Sequence, residues 1–315
     1  LPAAYASSLE AVDPNDPTNR KALEPKTLTA LVHGGFINAQ RGLDDDTHRE
    51  RDVLGKVVEV LFQSALTDPL DPEKRTTAEQ LKAAVEQHGP HLPVGTDTMI
   101  AEGMLAALRR NCPDDLDIRI LPVQAVGKST EHLWAAGTLT LDAPTALAAW
   151  TQIGLSVARA GVRKIVIVNS HGGNLDLVSI LSRELRVQAG MLAVKCQWMG
   201  FGLPQGMYSR QETSFGIHGV DVETSLMLAF QPDCVDMGAA QDFRSTAEAA
   251  AIPPTGPVSY GWISADLNPA GTVGEAHLAS ADKGRATATH QVAGLIALLR
   301  QVRDAAIPQA ESGWR

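Results

Sequence analysis

The run Lys164-Ile165-Val166-Ile167-Val168 breaks at Asn169-Ser170-His171-Gly172-Gly173-Asn174 and passes directly into a segment of helical periodicity over residues 174–188. An unbroken apolar run of this length suits a strand covered on both faces, which is how parallel strands sit in α/β proteins. The expected elements continue on either side. Upstream stand a strand over 118–126, a loop over 127–137, a short β-like stretch over 138–141 and a helix. That helix has Asp142 as its N-cap, Pro144 in its first turn and apolar positions over 147–160, and Gly161 stops it. Downstream, residues 191–196 read as a further strand. The alternation β, α, β, α, β predicts a three-layer α/β/α fold, with a mostly parallel central sheet between helices and right-handed crossovers. At 315 residues and 44% hydrophobic content, the chain can bury the large core such a fold requires.

Ligands of open α/β sheets gather at the carboxyl ends of the strands, so His171 stands where a catalytic residue is expected. A second segment has the composition of a metal-binding loop: Glu86-Gln87-His88-Gly89-Pro90-His91-Leu92-Pro93-Val94-Gly95-Thr96-Asp97-Thr98. Glu86 and His88 stand two apart, so their side chains point the same way in an extended or turning backbone, and residues 90–95 can fold Asp97 back toward them. A third segment, His218-Gly219-Val220-Asp221-Val222-Glu223-Thr224-Ser225, opens the apolar helical run over 226–230 and adds another carboxylate and another histidine.

Taken singly, each of these residues reads as a turn former or a surface group. Together, Glu86, His88, Asp97, His171 and Glu223 supply two imidazoles and three carboxylates. With one carboxylate bridging, they give three protein ligands to each of two metals, with room for a shared hydroxide, as in a two-metal hydrolase. Imidazole with carboxylate and no thiolate suits two divalent ions drawn from zinc, manganese and iron, alike or mixed. His218 is the expected proton-transfer residue, because imidazole titrates near neutral pH. His91, His132 and Trp134 are expected to line the substrate pocket. Gly172 and Gly173 are expected to let the backbone pass close to the metals, and Asn174 to cap the helix that follows. Gly127-Lys128-Ser129-Thr130 is not a phosphate loop, since the required earlier glycine would be Val123.

Composition narrows the partners. The net charge is −9, and no cluster of Lys and Arg interleaved with aromatics appears, so nucleic acid is not an expected partner. No apolar run approaches a membrane span, and Leu1-Pro2-Ala3-Ala4 lacks the pattern of a secretory signal, so no membrane partner and a cytoplasmic setting are expected. Cys112, Cys196 and Cys234 fit neither a disulfide framework nor a zinc ribbon and read as small buried hydrophobes.

The three motifs resemble the creatininase family of metal-dependent amidohydrolases in order and spacing, over about residues 85 to 300. Weaker echoes are Glu131-His132, Gly137-Thr138-Leu139-Thr140-Leu141, Gly271-Thr272-Val273-Gly274 and Lys283-Gly284-Arg285. The resemblance implies the layered fold, a homo-oligomer (a hexamer in the family), and hydrolysis of the C–N bond of a small cyclic amide, formamide or related non-peptide substrate. By position it also implies that Glu86, Asp97 and His171 hold one metal and that His88, Asp97 and Glu223 hold the other, with Asp97 as the bridge. The family's namesake enzyme has a glutamate two residues after the strand-end histidine. Here that place is Gly173, which turns the expectation away from creatinine itself. A lactone or phosphoester hydrolase using the same metals remains open, as does a catalytically silent, metal-stabilised scaffold or ligand-binding member.

Residues 86–315 are thus expected to form the amidohydrolase domain, with residues 1–85 as an amino-terminal extension. The family runs an apolar strand into the Glu-Gln-His-Gly turn, whereas Thr77-Ala78-Glu79-Gln80-Leu81-Lys82 stands here. That strand is expected from residues 30–39 or 57–62, unless the extension is an addition to the fold. Residues 56–65 read as helix or strand, and residues 76–85 as helix.

Overall fold

The computed structural model describes residues 10–13, 16–22 and 86–308. The chain divides into two units, Leu1–Lys82 and Ala83–Arg315. In the first, β1 (Glu10–Asp13) pairs antiparallel with β2 (Asp16–Ala22). The expected elements over 30–39, 56–65 and 76–85, and with them the origin of the strand before Glu86, lie outside the described residues.

The second unit begins with α1 (Thr96–Asn111), followed by α2 (Ala143–Arg159). Asp142 caps α2 by accepting from the Thr145 N–H, and a proline sits in its first turn, as the sequence predicts. Then come β3 (Lys164–Asn169), α3 (Leu175–Ala189) and β4 (Leu192–Gln197). Gly190 ends α3 with φ of 65°, a left-handed conformation that glycine adopts without the penalty a Cβ brings. β3 and β4 run parallel in register from Lys164 opposite Leu192 to Asn169 opposite Gln197. The remaining elements are α4 (Arg210–Phe215), α5 (Asp221–Phe230), β5 (Asp242–Phe243), α6 (Ser264–Leu267), β6 (Gly274–Glu275) and α7 (Ala281–Asp304).

The apolar run over β3 is explained by what covers it. Ile165 and Ile167, with Ala193 of β4, pack against Leu181 and Leu185 of α3 and Ala158 of α2. Val166, Val168 and Cys196 turn the other way, toward Met104 and Leu108 of α1, Leu226 of α5 and Val292 and Leu295 of α7. Alternate residues of one strand therefore bury into two separate helical layers. This is an α/β fold with helices on both faces of a parallel sheet. Among the described residues, no helix is long and apolar enough to cross a membrane.

Two expected strands are absent. Residues 118–126 enter no ladder, and Leu121 and Val126 are exposed. Pro122 interrupts the stretch and removes one of the N–H donors a central strand needs. Residues 138–141 likewise form no strand, since the Leu141 N–H donates to the Gly127 carbonyl at 2.9 Å and closes a loop instead. The parallel sheet among the described residues is therefore the β3–β4 pair alone. Residues 250–274 are irregular, as expected, except for the single turn α6 and the start of β6 at Gly274. Leu267 and Val273 of this region form a small cluster with Ala247, and Ile217 and Trp262 pack against it.

Candidate metal centre

The turn that opens the second unit is built to aim its side chains inward. The Glu86 N–H donates to the Val94 carbonyl at 2.7 Å, which closes the loop, and the Thr96 hydroxyl donates to the Pro93 carbonyl at 2.7 Å where α1 begins. Asp97 thus falls in the first turn of α1, where the helix dipole favours a carboxylate. His88 Nδ1 lies 3.1 Å from the Glu86 carbonyl, an acceptor, so Nδ1 carries the hydrogen. Nε2 is left facing Asp97 Oδ1 at 3.4 Å and Glu86 Oε1 at 3.7 Å. Burial opposes a charge on His88, but Asp97, Glu86 and Glu223 outweigh it and raise the imidazole to about 9.

His171 arrives from the carboxyl end of β3, where the Asn169 amide donates to the His171 carbonyl at 2.6 Å and shapes the turn. Its Nδ1 lies 2.9 Å from Glu86 Oε2 and 3.1 Å from Asp97 Oδ2. Burial disfavours its charged form, yet the facing carboxylates hold His171 well above the ordinary imidazole value. Asp97 is pulled the opposite way. Burial raises its carboxyl, and His88 and His171 more than reverse that and drive it far below the usual range.

The third contributor is the segment entering α5. The backbone of this segment is fixed by residue 273: the Ile217 N–H donates to the Val273 carbonyl at 3.1 Å, and the Val273 N–H to the His218 carbonyl at 2.8 Å. Glu223 lies in the first turn of α5, and its Oε2 accepts from the Gly219 N–H at 2.6 Å. Burial pushes its carboxyl up to about 7. His218 is sandwiched between the rings of His88 and His132, each 4.1 Å away by ring centroids. Its Nε2 donates to the Gln87 carbonyl at 2.5 Å, which leaves Nδ1 facing Glu86 Oε1 at 3.6 Å.

Three groups of three residues bring their donor atoms within 4.8 Å of one another: Glu86, Asp97 and His171; His88, Asp97 and Glu223; and Glu86, His88 and His218. The five residues expected as ligands and the expected proton-transfer histidine therefore converge on one spot. His132 joins them, with Nε2 3.6 Å from Glu86 Oε1. His91 does not: its Nε2 pairs with the Thr224 hydroxyl at 2.9 Å and its ring stacks on Phe243. Trp134 is 44% exposed and donates to the Ser264 hydroxyl at 2.8 Å. Gly172 borders open space, whereas Gly173 is packed closely on its neighbours. The Asn174 side chain does not cap α3. Instead its Oδ1 accepts from the Lys128 N–H at 2.9 Å, because the chain enters α3 through a tight turn that directs this side chain at the 127–141 loop.

Two residues of that loop touch the cluster although no motif in the sequence marks them as site residues. The Ser129 hydroxyl donates to Glu86 Oε2 at 2.7 Å, and Glu131 Oε1 lies 3.1 Å from His171 Nε2. Burial raises the Glu131 carboxyl, and hydrogen bonds from His171 and Lys128 outweigh it and bring it to about 2. The one signal available in the sequence was the Glu131-His132 echo.

Glu86 Oε1 and His88 Nε2 are buried with no hydrogen-bond partner. Buried polar atoms are rarely left so, and here they face each other among imidazoles and carboxylates. A divalent cation among zinc, manganese and iron fits that donor set.

The family model for creatininase, described as creatinine amidohydrolase, matches residues 72–299. A mycofactocin precursor peptide peptidase from Mycolicibacterium smegmatis is 30% identical over 154 residues, which are 48% of this chain and 57% of that relative. The chain thus spans less than two thirds of that relative's length. A creatinine amidohydrolase from Pseudomonas putida is 28% identical over 237 residues, 69% of this chain and 86% of the relative. In fold, the chain resembles the crystal structure of a putative creatinine amidohydrolase from Bacteroides fragilis, with a TM-score of 0.59 and 21% identity over 72% of this chain and 89% of that one. With the family model covering most of its length, this chain belongs to the creatininase family.

Proposed function

We propose that this chain is a two-metal amide hydrolase, in which Glu86, Asp97 and His171 would hold one divalent cation and His88, Asp97 and Glu223 the other. The observation that carries the reading is that two of the three-residue groups meet at Asp97, each with its donor atoms within 4.8 Å. When bound, such a pair lowers the pKa of water and polarises a carbonyl oxygen.

His218 supplies the proton chemistry. Its Nε2 hydrogen is committed to the Gln87 carbonyl, so the lone pair on Nδ1 is turned toward the proposed cation site, 3.6 Å from Glu86 Oε1. Burial, and then the neighbouring His88 and His132, push its pKa well below the ordinary value, so the ring is neutral at pH 7. Nδ1 can take a proton from the attacking water and return it to the departing nitrogen as the C–N bond breaks. His132 walls one side of that ring.

The substrate class follows as a C–N amide, in the first place a small cyclic amide or a formamide. A peptide amide is the second reading, favoured by the similarity to a relative named as a peptidase. The full-length protein, loaded with zinc or manganese, should open the ring of cyclic amides, release formate from formamides or release an amine from short peptides, and the productive arm of such a panel names the class. Turnover of lactones or phosphoesters alone would replace the amide assignment. Bound metal with no turnover across the panel would favour the silent scaffold. Assembly into a homo-oligomer belongs to the same proposal and is read by light scattering.

A further inference from the structure

We infer that Glu131 is the positioning residue of the centre: its carboxylate holds the far nitrogen of His171, and Gly173 exists to leave that carboxylate its space. The inference rests on the proposed cation site. His171 enters the cluster through Nδ1, so Nε2 must carry the hydrogen, and Glu131 Oε1, 3.1 Å away, accepts it. A carboxylate in that place fixes the tautomer and the ring orientation and makes the coordinating nitrogen a better donor.

Glu131 is itself held from several sides. Its other oxygen pairs with Lys128 Nζ at 2.6 Å. The loop that carries it is tied by the Lys128 N–H to Asn174 Oδ1 at 2.9 Å and by the Ser129 N–H to the Thr140 hydroxyl at 2.7 Å. Gly173 shows the same arrangement from the opposite side. A Cβ at this position would lie 1.8 Å from Glu131 Oε1, 2.5 Å from His171 Nε2 and 2.8 Å from the Lys128 carbonyl oxygen. Any side chain at 173 would evict the carboxylate from the imidazole. The Glu131–His171 pair and the glycine beneath it are therefore one device, assembled from two loops.

The test is the zinc affinity of the full-length protein, measured without substrate by competition with a chelating dye. Glu131→Ala should weaken zinc binding by about 10- to 100-fold. Glu131→Gln keeps an acceptor oxygen and should lose less, a partial rescue that a purely structural role does not produce. Gly173→Ala should weaken zinc in the same sense, and Glu131→Ala combined with Gly173→Ala should lose no more than the worse single variant, because both break one contact. Zinc affinity within about twofold of the parent in both Glu131 variants, or losses that multiply in the double variant, would overturn the inference. A parent protein that binds no zinc would instead remove the cation site on which it stands.

Discussion

The turn over residues 86–97 and the loop over residues 127–141 both bury ionisable side chains against Glu86, yet they do so in opposite ways. In the turn, Glu86 Oε1 and His88 Nε2 are buried without partners. In the loop, Ser129 Oγ, Lys128 Nζ and both oxygens of Glu131 are paired, and His132 Nδ1 is the one orphan. Buried polar atoms are costly when unpaired, so a folded chain tolerates them where something else completes them. The turn presents ligand atoms, and the loop holds Glu86 through Ser129 and His171 through Glu131. His218 stands between the two, with its ring between His88 of the turn and His132 of the loop.

Removing a donor that two groups share should have the largest effect. Asp97→Ala should deplete metal at both positions and reduce amide turnover by about 10³-fold or more, since several kcal/mol of charge stabilisation go with the metals. Elemental analysis that finds the variant fully loaded would take Asp97 out of its shared role. His218→Ala comes next. Turnover should fall by about 10²- to 10⁴-fold while metal content stays near that of the parent, because the histidine moves protons. Metal lost along with activity would instead make His218 a ligand, in line with its grouping with Glu86 and His88. The smallest effect belongs to the loop. Ser129→Ala removes a buried hydrogen bond to Glu86, which contributes about 1.5–3 kcal/mol when the acceptor is charged. The metal-free protein should then melt several degrees lower while the loaded protein keeps its metal content. An unchanged melting temperature would mean that Glu86 needs no support from the loop.

The site was legible in the sequence to the extent that its residues sit beside structural punctuation. Glu86, His88 and Asp97 share one Gly-Pro-rich turn, and His171 follows an apolar strand directly, so spacing and composition exposed them. His218 and Glu223 stand at the entry to an apolar helix, which marks them in the same way. Ser129 and Glu131 lie in a loop of ordinary polar composition, and nothing local says that Glu131 meets a histidine forty residues further on. His91 shows the converse. It shares the richest motif, but Thr224 and Phe243 draw its ring away from the cluster. Residues 118–126 have the apolar content of a strand without pairing as one, because a ladder needs a neighbour in register as well as a suitable sequence.

By itself the sequence determined the family, through the order and spacing of its motifs, and the α/β class, the two-faced burial of Lys164–Asn169 and the chemical type of the cluster, because these last depend on periodicity and on residues near one another in the chain. Only the tertiary structure decided which nitrogen of His132, His171 and His218 faces the acids, which buried atoms go unpaired and which distant loop steadies His171. Those properties are set by contacts between segments 40 to 133 residues apart, and side-chain direction at such contacts is fixed by packing rather than by the local chain.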